Sequence, residues 1–376
     1  MELLRIGDKV DKLDVFMFGR KVGTLAETSE GLAAFQYASG WLDGGYSISP
    51  FSLPLEDRVF VAGWHPLDGL FGVFDDSLPD GWGRLLVDRM MRERGIDSSE
   101  VGFLSRLALV GSSGSGALEY RPSVEAPAFR AITDLDEVAA ECAVVLAAQK
   151  TQDLDALFAM AGSSGGARPK VFYVIDGEEW IVKFPSSIDP PDIGRDEYRL
   201  ALAAKSCGME MPEVRLLPSS RCSGYFATKR FDRVRGADGS VGKVHMISVA
   251  ALLETSHRIP DLDYDLLMRL TLRLTGSMRE VERMFRLMVF NVLCGNRDDH
   301  SKNFAFIHRE GDGWTLSPAY DLTSNSGMNG EHATTVNGKG RGIVDADMLA
   351  VARNAGISES RAKEMIDQVR CALADR

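Results

Sequence analysis

Asn296-Arg297-Asp298-Asp299-His300-Ser301-Lys302-Asn303-Phe304 follows a strongly apolar segment and precedes Ser317-Pro318-Ala319-Tyr320-Asp321. Asp298 and Asn303 stand five positions apart. Phosphoryl-transfer loops use that spacing for a proton-accepting carboxylate and a metal-binding amide. Asp321 offers a second carboxylate a short way downstream. Asp299 rivals Asp298, but its separation from Asn303 is one residue short. Adjacent acids in one loop rarely face a reacting centre from opposite sides, which discounts sugar hydrolysis by the pair. His300 has no partners at zinc spacing and reads as a structural part of the loop.

Immediately upstream, Ser277 and Glu280 form a capping-box signature. Val281, Met284, Phe285, Met288, Val289, Val292 and Leu293 then recur at helical steps, the pattern of a buried helix that holds the following loop. Downstream, Phe304–Ile307 and Trp314–Leu316 flank Gly311-Asp312-Gly313. This is a hairpin that would return Asp321 beside Asn303. Ser326 to Gly342 is glycine-rich and polar and is expected to be mobile. In the helical tail, the turn at Ala355–Ser358 superficially resembles a DNA-reading helix-turn-helix. Asp345, Asp347, Glu359, Glu364 and Asp367 argue instead for a helix pair of a C-terminal lobe.

Farther upstream, Met160 to Lys170 contains Gly162-Ser163-Ser164-Gly165-Gly166-Ala167. Strand Val171–Ile175, a turn at Asp176-Gly177 and return strand Trp180–Phe184 follow, with Lys183 embedded in the last. Small residues such as Gly165, Gly166 and Ala167 let backbone N–H groups approach phosphates, and a strand-borne lysine fixes their charge. A helix over Asp196 to Lys205 turns Leu200, Leu202 and Ala203 toward a core. Its Glu197 either orients Lys183 or is a solvated acid favoured by the helix dipole. Tyr225 to Arg233 reads as a strand running into a connector, where backbone groups of a two-lobed kinase would meet adenine.

Singly, each piece has an innocuous explanation. In chain order, glycine loop, Lys183, Asp298, Asn303 and Asp321 supply the parts for phosphoryl transfer from ATP, which needs positioning and charge neutralisation more than covalent help. Asp298 would take or orient the acceptor proton. Asn303 and Asp321 would bind magnesium through hard oxygen donors.

Residues 1 to about 125 are rich in strand and turn signals. Asp14–Phe18 and Lys21–Leu25 read as a hairpin, and Ile48 to Leu55 as an irregular edge strand. Leu78-Pro79-Asp80-Gly81-Trp82-Gly83-Arg84 opens a helix carrying Leu85, Leu86, Met90 and Met91, and another helix is expected over Glu100 to Val110. Gly111 to Leu118 lacks the Gly-Lys-Ser/Thr ending of a Walker loop and reads as a plain turn. Arg121 to Arg130 is the linker candidate, before a helix from Asp134 to Gln149 capped by Thr133.

The chain has 376 residues, net charge −11 and pI about 5.2. That length suits two lobes, and the acidity opposes a chain-wide nucleic-acid surface. Five scattered cysteines without a CxxC pair fit a reducing compartment rather than a zinc or disulfide framework. With no signal-like N-terminus and no long apolar run, a cytoplasmic location without membrane contact is expected. The fold class is α+β, a two-lobed protein-kinase-like fold. Expected boundaries are a β-rich N-terminal subdomain over 1–125, an N-lobe core with glycine loop, lysine and hinge over 126–235, and a helical C-lobe over 236–376.

Over almost its whole length the chain resembles the HipA family of bacterial serine/threonine kinase toxins. The resemblance rests on Leu78–Trp82, Val110–Leu118, Gly162–Lys170, Ile181-Val182-Lys183-Phe184-Pro185, Lys229–Arg233, Asp298–Phe304 and Ser317–Asp321. The combination Asp-Asp-His-Ser-Lys-Asn-Phe with Pro-Ala-Tyr-Asp is its most specific part. It implies that Asp298 is the catalytic base, Asn303 and Asp321 the magnesium ligands, Lys183 the ATP lysine, and Lys229 and Phe231 the adenine connector. Lys229 stands where some members have an acid. Ser163 aligns best with the loop serine that members autophosphorylate, with Ser164 its neighbour. The family also implies a small helix-turn-helix antitoxin, HipB, through which DNA is bound, and aminoacyl-tRNA synthetases as targets, leading to persistence. The chain ends sooner after Asp345–Arg376 than longer members do. A different class of function, a nucleotide-binding corepressor of weak or no activity, is the alternative to an active kinase; a small-molecule kinase is a third.

Overall fold

The computed structural model describes residues 4–124, 132–151, 153–161, 165–236 and 239–374. Ser163, Ser164 and most of the expected linker lie outside the described residues. Two compact units emerge: the first takes in 1–194, 216–247 and 251–254, the second 195–215, 248–250 and 255–376.

In the first unit, strand β1 (Lys12–Met17) buries Leu13, Val15 and Met17 on alternate positions, the period-two pattern of a half-buried strand. It pairs antiparallel with β2 (Arg20–Glu27). Met17 opposite Arg20 leaves a two-residue turn, Phe18-Gly19, with φ of 52° and 74°. Positive φ at both positions matches the twist of the flanking strands. Strands β3 (Ala33–Tyr37), β4 (Val59–Val61) and β5 (Glu119–Arg121) complete a sheet of order β4-β3-β2-β1-β5. Residues 48–55 form turns and an isolated Ser49–Leu53 bridge instead of a strand. The second expected helix is shorter, Phe103–Val110.

A second sheet holds β6 (Lys170–Ile175) and β7 (Glu178–Lys183), then β8 (Val214–Leu217) and β9 (Tyr225–Lys229), with β7 between β6 and β9. Its apolar face carries Val171, Trp180, Val182 and Tyr225. These share one core with Trp82, Leu86 and Met90 of helix Gly81–Glu93, and with Val138, Cys142 and Val145 of helix Leu135–Leu146. The first half of the chain therefore packs directly on the sheet that carries Lys183. Asp134, not Thr133, caps helix Leu135–Leu146, because its carboxylate accepts from Asp136 N at 2.8 Å.

The second unit is built on helices Tyr264–Thr275 and Met278–Cys294, packed together and each stopped by a left-handed glycine, Gly276 and Gly295. Glycine suits that position because it lacks a Cβ. Val281, Met284, Phe285, Met288 and Val289 are buried as the periodicity demands. Ser277 is the N-cap but makes no side-chain capping bond. Glu280 is drawn away, accepting instead from Leu316 N at 2.9 Å. Helix Glu359–Ala374 packs on Met278–Cys294, and Arg361 Nη2 meets Glu282 at 3.0 Å, so the tail is part of this unit's core. On helix Ile193–Ser206, Leu200 and Ala203 are buried but Leu202 is 43% exposed. Ala201 and Ala204 occupy the inward positions instead.

Among the described residues, no helix is long and apolar enough to cross a membrane.

Candidate active site

The loop after helix Met278–Cys294 separates its two acids by environment. Asp298 has a side chain 59% exposed, whereas Asp299 is fully buried. Asp299 accepts from Tyr264 Oη (3.0 Å), Ala333 N (2.9 Å) and Thr334 N (3.3 Å), and lies 3.0 Å from His332 Nδ1. Burial, then the Asp299 charge, hold the Tyr264 phenol well above its usual pKa, so it stays a donor. Asn291 Nδ2 donates to Tyr264 Oη at 3.0 Å, and Asn296 Nδ2 to Asn291 Oδ1 at 3.0 Å. The loop thus rests on a chain of satisfied buried polar groups.

That network ties down the middle of the stretch from Ser326 to Gly342. Thr334–Thr335 pairs in parallel with Leu262–Asp263, His332 is buried, and the segment's own N–H groups serve Asp299. Around His332–Val336 the polar groups are engaged in buried hydrogen bonds, while residues on either side are exposed.

Replacing Asp299 by Asn puts an NH₂ group among donors. We expect a loss of about 2–3 kcal/mol of stability, the cost of unsatisfied buried donors, read from urea midpoints. An unchanged midpoint would show that Asp299 does not brace the loop.

Asn303 Nδ2 donates to the Asp298 carbonyl at 2.6 Å. This leaves Oδ1 as the atom it can offer a cation. His300 accepts from Lys302 N through Nδ1 at 3.2 Å, and its Nε2 is 3.7 Å from Asp298 Oδ1, so it shapes the turn. The hairpin Ala305–Arg309/Gly313–Leu316 brings the chain back, and Tyr320 Oη donates to Lys302 O at 2.7 Å. Asp321 follows with φ of 55°, a conformation uncommon outside glycine that aspartate adopts more readily than most residues. Arg283, one turn into the same helix, donates to Leu316 O (2.8 Å) and Ser317 O (3.1 Å). One helix therefore anchors both the Asp298–Asn303 loop and the approach to Asp321. Glu197, also in this unit, is 4% exposed, which excludes the solvated-acid reading.

In the first unit, Lys183 is 9% exposed on β7, with its Nζ 5.5 Å from the Phe226 ring centre. Lys170, also buried, is its cross-strand partner on β6. A Cβ built on Gly166 would come within 2.8 Å of Lys170 Nζ, so a second cation lies beside the glycine loop. Sequence reading passed over Lys170, although it ends the glycine loop and begins the strand. Gly165, Gly166 and Ala167 are exposed. Lys229 pairs with Glu178 at 2.9 Å and lies opposite Trp180, three residues along β7 from Lys183, roughly 10 Å away at strand rise. Its side chain is not brought to Lys183; its backbone is what the connector offers. Phe231 is half-buried just beyond it.

Within the first unit, the buried ammonium groups of Lys183 and Lys170 and the glycine N–H groups are donors of the kind that suit phosphate. Within the second, Asp298, Asn303 and Asp321 offer oxygens of the kind that suit a hard cation.

The family described as HipA-like C-terminal domain matches residues 162–376, and that described as HipA N-terminal domain matches 13–121. A protein named "Putative kinase Y4dM" from Sinorhizobium fredii is 27% identical over 96% of this chain and 89% of its own length. "Putative kinase Y4mE" of the same organism is 28% identical over 83% and 77%. Among solved structures, HipA of Shewanella oneidensis MR-1, in complex with HipB and operator DNA, superposes with a TM-score of 0.72. That match covers 96% of this chain and 90% of the other at 18% identity. The likeness is one of fold: α+β and kinase-like, with a β-rich N-terminal part and a mainly helical C-terminal part.

Proposed function

The chain belongs to the HipA family, and from that premise we propose that it is an ATP- and magnesium-dependent serine/threonine protein kinase, the toxin of a toxin–antitoxin pair. The observation that carries the reading is the division of labour at Asp298-Asp299. The loop is braced by the buried acid, and the exposed acid stands beside an asparagine whose amide nitrogen is already engaged. Asp298 orients and accepts the proton of the acceptor hydroxyl. Asn303 Oδ1 and the Asp321 carboxylate hold magnesium, which neutralises charge on the phosphoryl oxygens. Lys183, with Lys170 beside it, pairs with phosphate oxygens; Gly165, Gly166 and Ala167 cover them, while the Lys229–Phe231 backbone receives adenine. Glu197 orients Lys183.

A HipB-like helix-turn-helix antitoxin is the proposed partner and the route to DNA, consistent with the net charge of −11. The proposed target is a translation component such as an aminoacyl-tRNA synthetase, phosphorylated in the cytoplasm. Self-inactivation follows from phosphorylation of Ser163, or its neighbour Ser164, which adds about two negative charges where triphosphate must sit.

The test is incubation of the full chain with magnesium and ATP, followed by mass spectrometry. Phosphate on Ser163 or Ser164 is the expected result. A protein that binds ATP tightly yet never transfers phosphate would be a nucleotide-binding corepressor, and the kinase reading would be wrong.

A further inference from the structure

The glycine loop is gripped from outside the kinase sheet. Gly166 N donates to the Asp80 carboxylate at 2.6 Å, and Gly166 O accepts from Trp82 N at 2.8 Å. Both polar groups of one loop residue are thus taken by a segment 86 positions earlier. Gly81 lies between these contacts with φ of 46°, and a Cβ there would overlap the Gly166 carbonyl oxygen. Gly165 also approaches: a Cβ on it would meet Asp80 Oδ1 at 3.0 Å. The grip has a rigid base, because Trp82 and Leu86 on the same helix are buried in the core shared with Val171 and Val182.

We propose that Asp80-Gly81-Trp82 is a clasp that positions the glycine loop for nucleotide, with Asp80 as its positioning residue. The inference rests on the kinase reading above and deepens it. A carboxylate accepting a backbone N–H makes a charge-assisted bond, stronger than a neutral one. The position of the loop at Gly166 therefore depends on the Asp80–Trp82 segment.

The experiment compares wild type, Asp80→Ala and Asp80→Asn as full chains, by amide hydrogen exchange at Gly165–Ala167 without nucleotide and by ATP titration with magnesium. Loss of a charge-assisted bond predicts exchange about 10-fold faster or more in Asp80→Ala, and ATP affinity weaker by a similar factor. Asp80→Asn keeps an acceptor oxygen and should lie within about 3-fold of wild type. Gly81→Ala should reproduce the Asp80→Ala exchange. Equal exchange in wild type and Asp80→Ala overturns the clasp. Faster exchange in Asp80→Ala, with no ATP bound by any variant, leaves the clasp standing and removes the kinase reading instead.

Discussion

Asp298→Ala is expected to lower phosphate transfer by about 10³-fold or more, the scale of losing a positioned general base, while the unfolding midpoint stays within about 0.5 kcal/mol of wild type. The two halves of this result come from one observation. The Asp298 side chain is mostly solvent-exposed, and one of its carboxylate oxygens lies 3.7 Å from His300 Nε2. The bond that closes the loop, from Asn303, goes to the Asp298 carbonyl, which alanine retains. ATP binding should persist, since neither Lys183 nor the glycine loop is altered. Asp299→Ala behaves in the opposite way, losing stability first and activity only as a consequence. Transfer by Asp298→Ala within about 3-fold of wild type would exclude it as the base, given the size of effect that role implies. The measurement is single-turnover phosphorylation alongside urea denaturation.

The choice between those two acids shows what the residue order carries and what it omits. The Asp298-to-Asn303 spacing, the apolar stripe from Val281 to Val289 and the turn at Phe18-Gly19 are local, so neighbouring residues suffice to read them. The reason Asp299 is the brace lies in Tyr264, His332, Ala333 and Thr334, distant in sequence and joined only by the fold. Composition misleads at His332 and Thr334 for the same reason: polar residues look solvated until their buried partner is known. At Ser277–Glu280 the local signature is present, but a longer-range partner, Leu316 N, outcompetes it. Asp80 lies in Leu78-Pro79-Asp80-Gly81-Trp82, yet nothing near it in sequence points to Gly166. Tertiary partners, not propensities, decided these cases.

Asp232→Asn should cost about 3–5 kcal/mol at neutral pH, the penalty for leaving buried charge without its partner. Asp232 is buried and accepts from Arg230 Nη2 (2.7 Å), Arg233 Nη1 (2.9 Å) and Gly116 N (2.8 Å). The two guanidiniums extend the knot, Arg230 Nη2 to Gly114 O at 3.2 Å and Arg233 Nη1 to Gly116 O at 3.0 Å. This also explains Gly111 to Leu118: a phosphate loop turns N–H groups outward, whereas this turn presents carbonyls to arginines. Burial alone would raise the Asp232 carboxyl, but Arg230 and then Arg233 outweigh it and hold it below the usual range. A depressed carboxyl contributes stability above its unfolded pKa of about 3.9 and loses it as pH falls through the folded value. The gap between wild type and Asp232→Asn should therefore be full at neutral pH and narrow on acidification below that range. The knot ties the connector after β9 to the N-terminal turn, so the variant should also loosen the proposed adenine connector and weaken ATP binding. Denaturant midpoints for both proteins across acid and neutral pH are the check, and equal midpoints at neutral pH would remove the knot as a stabilising element.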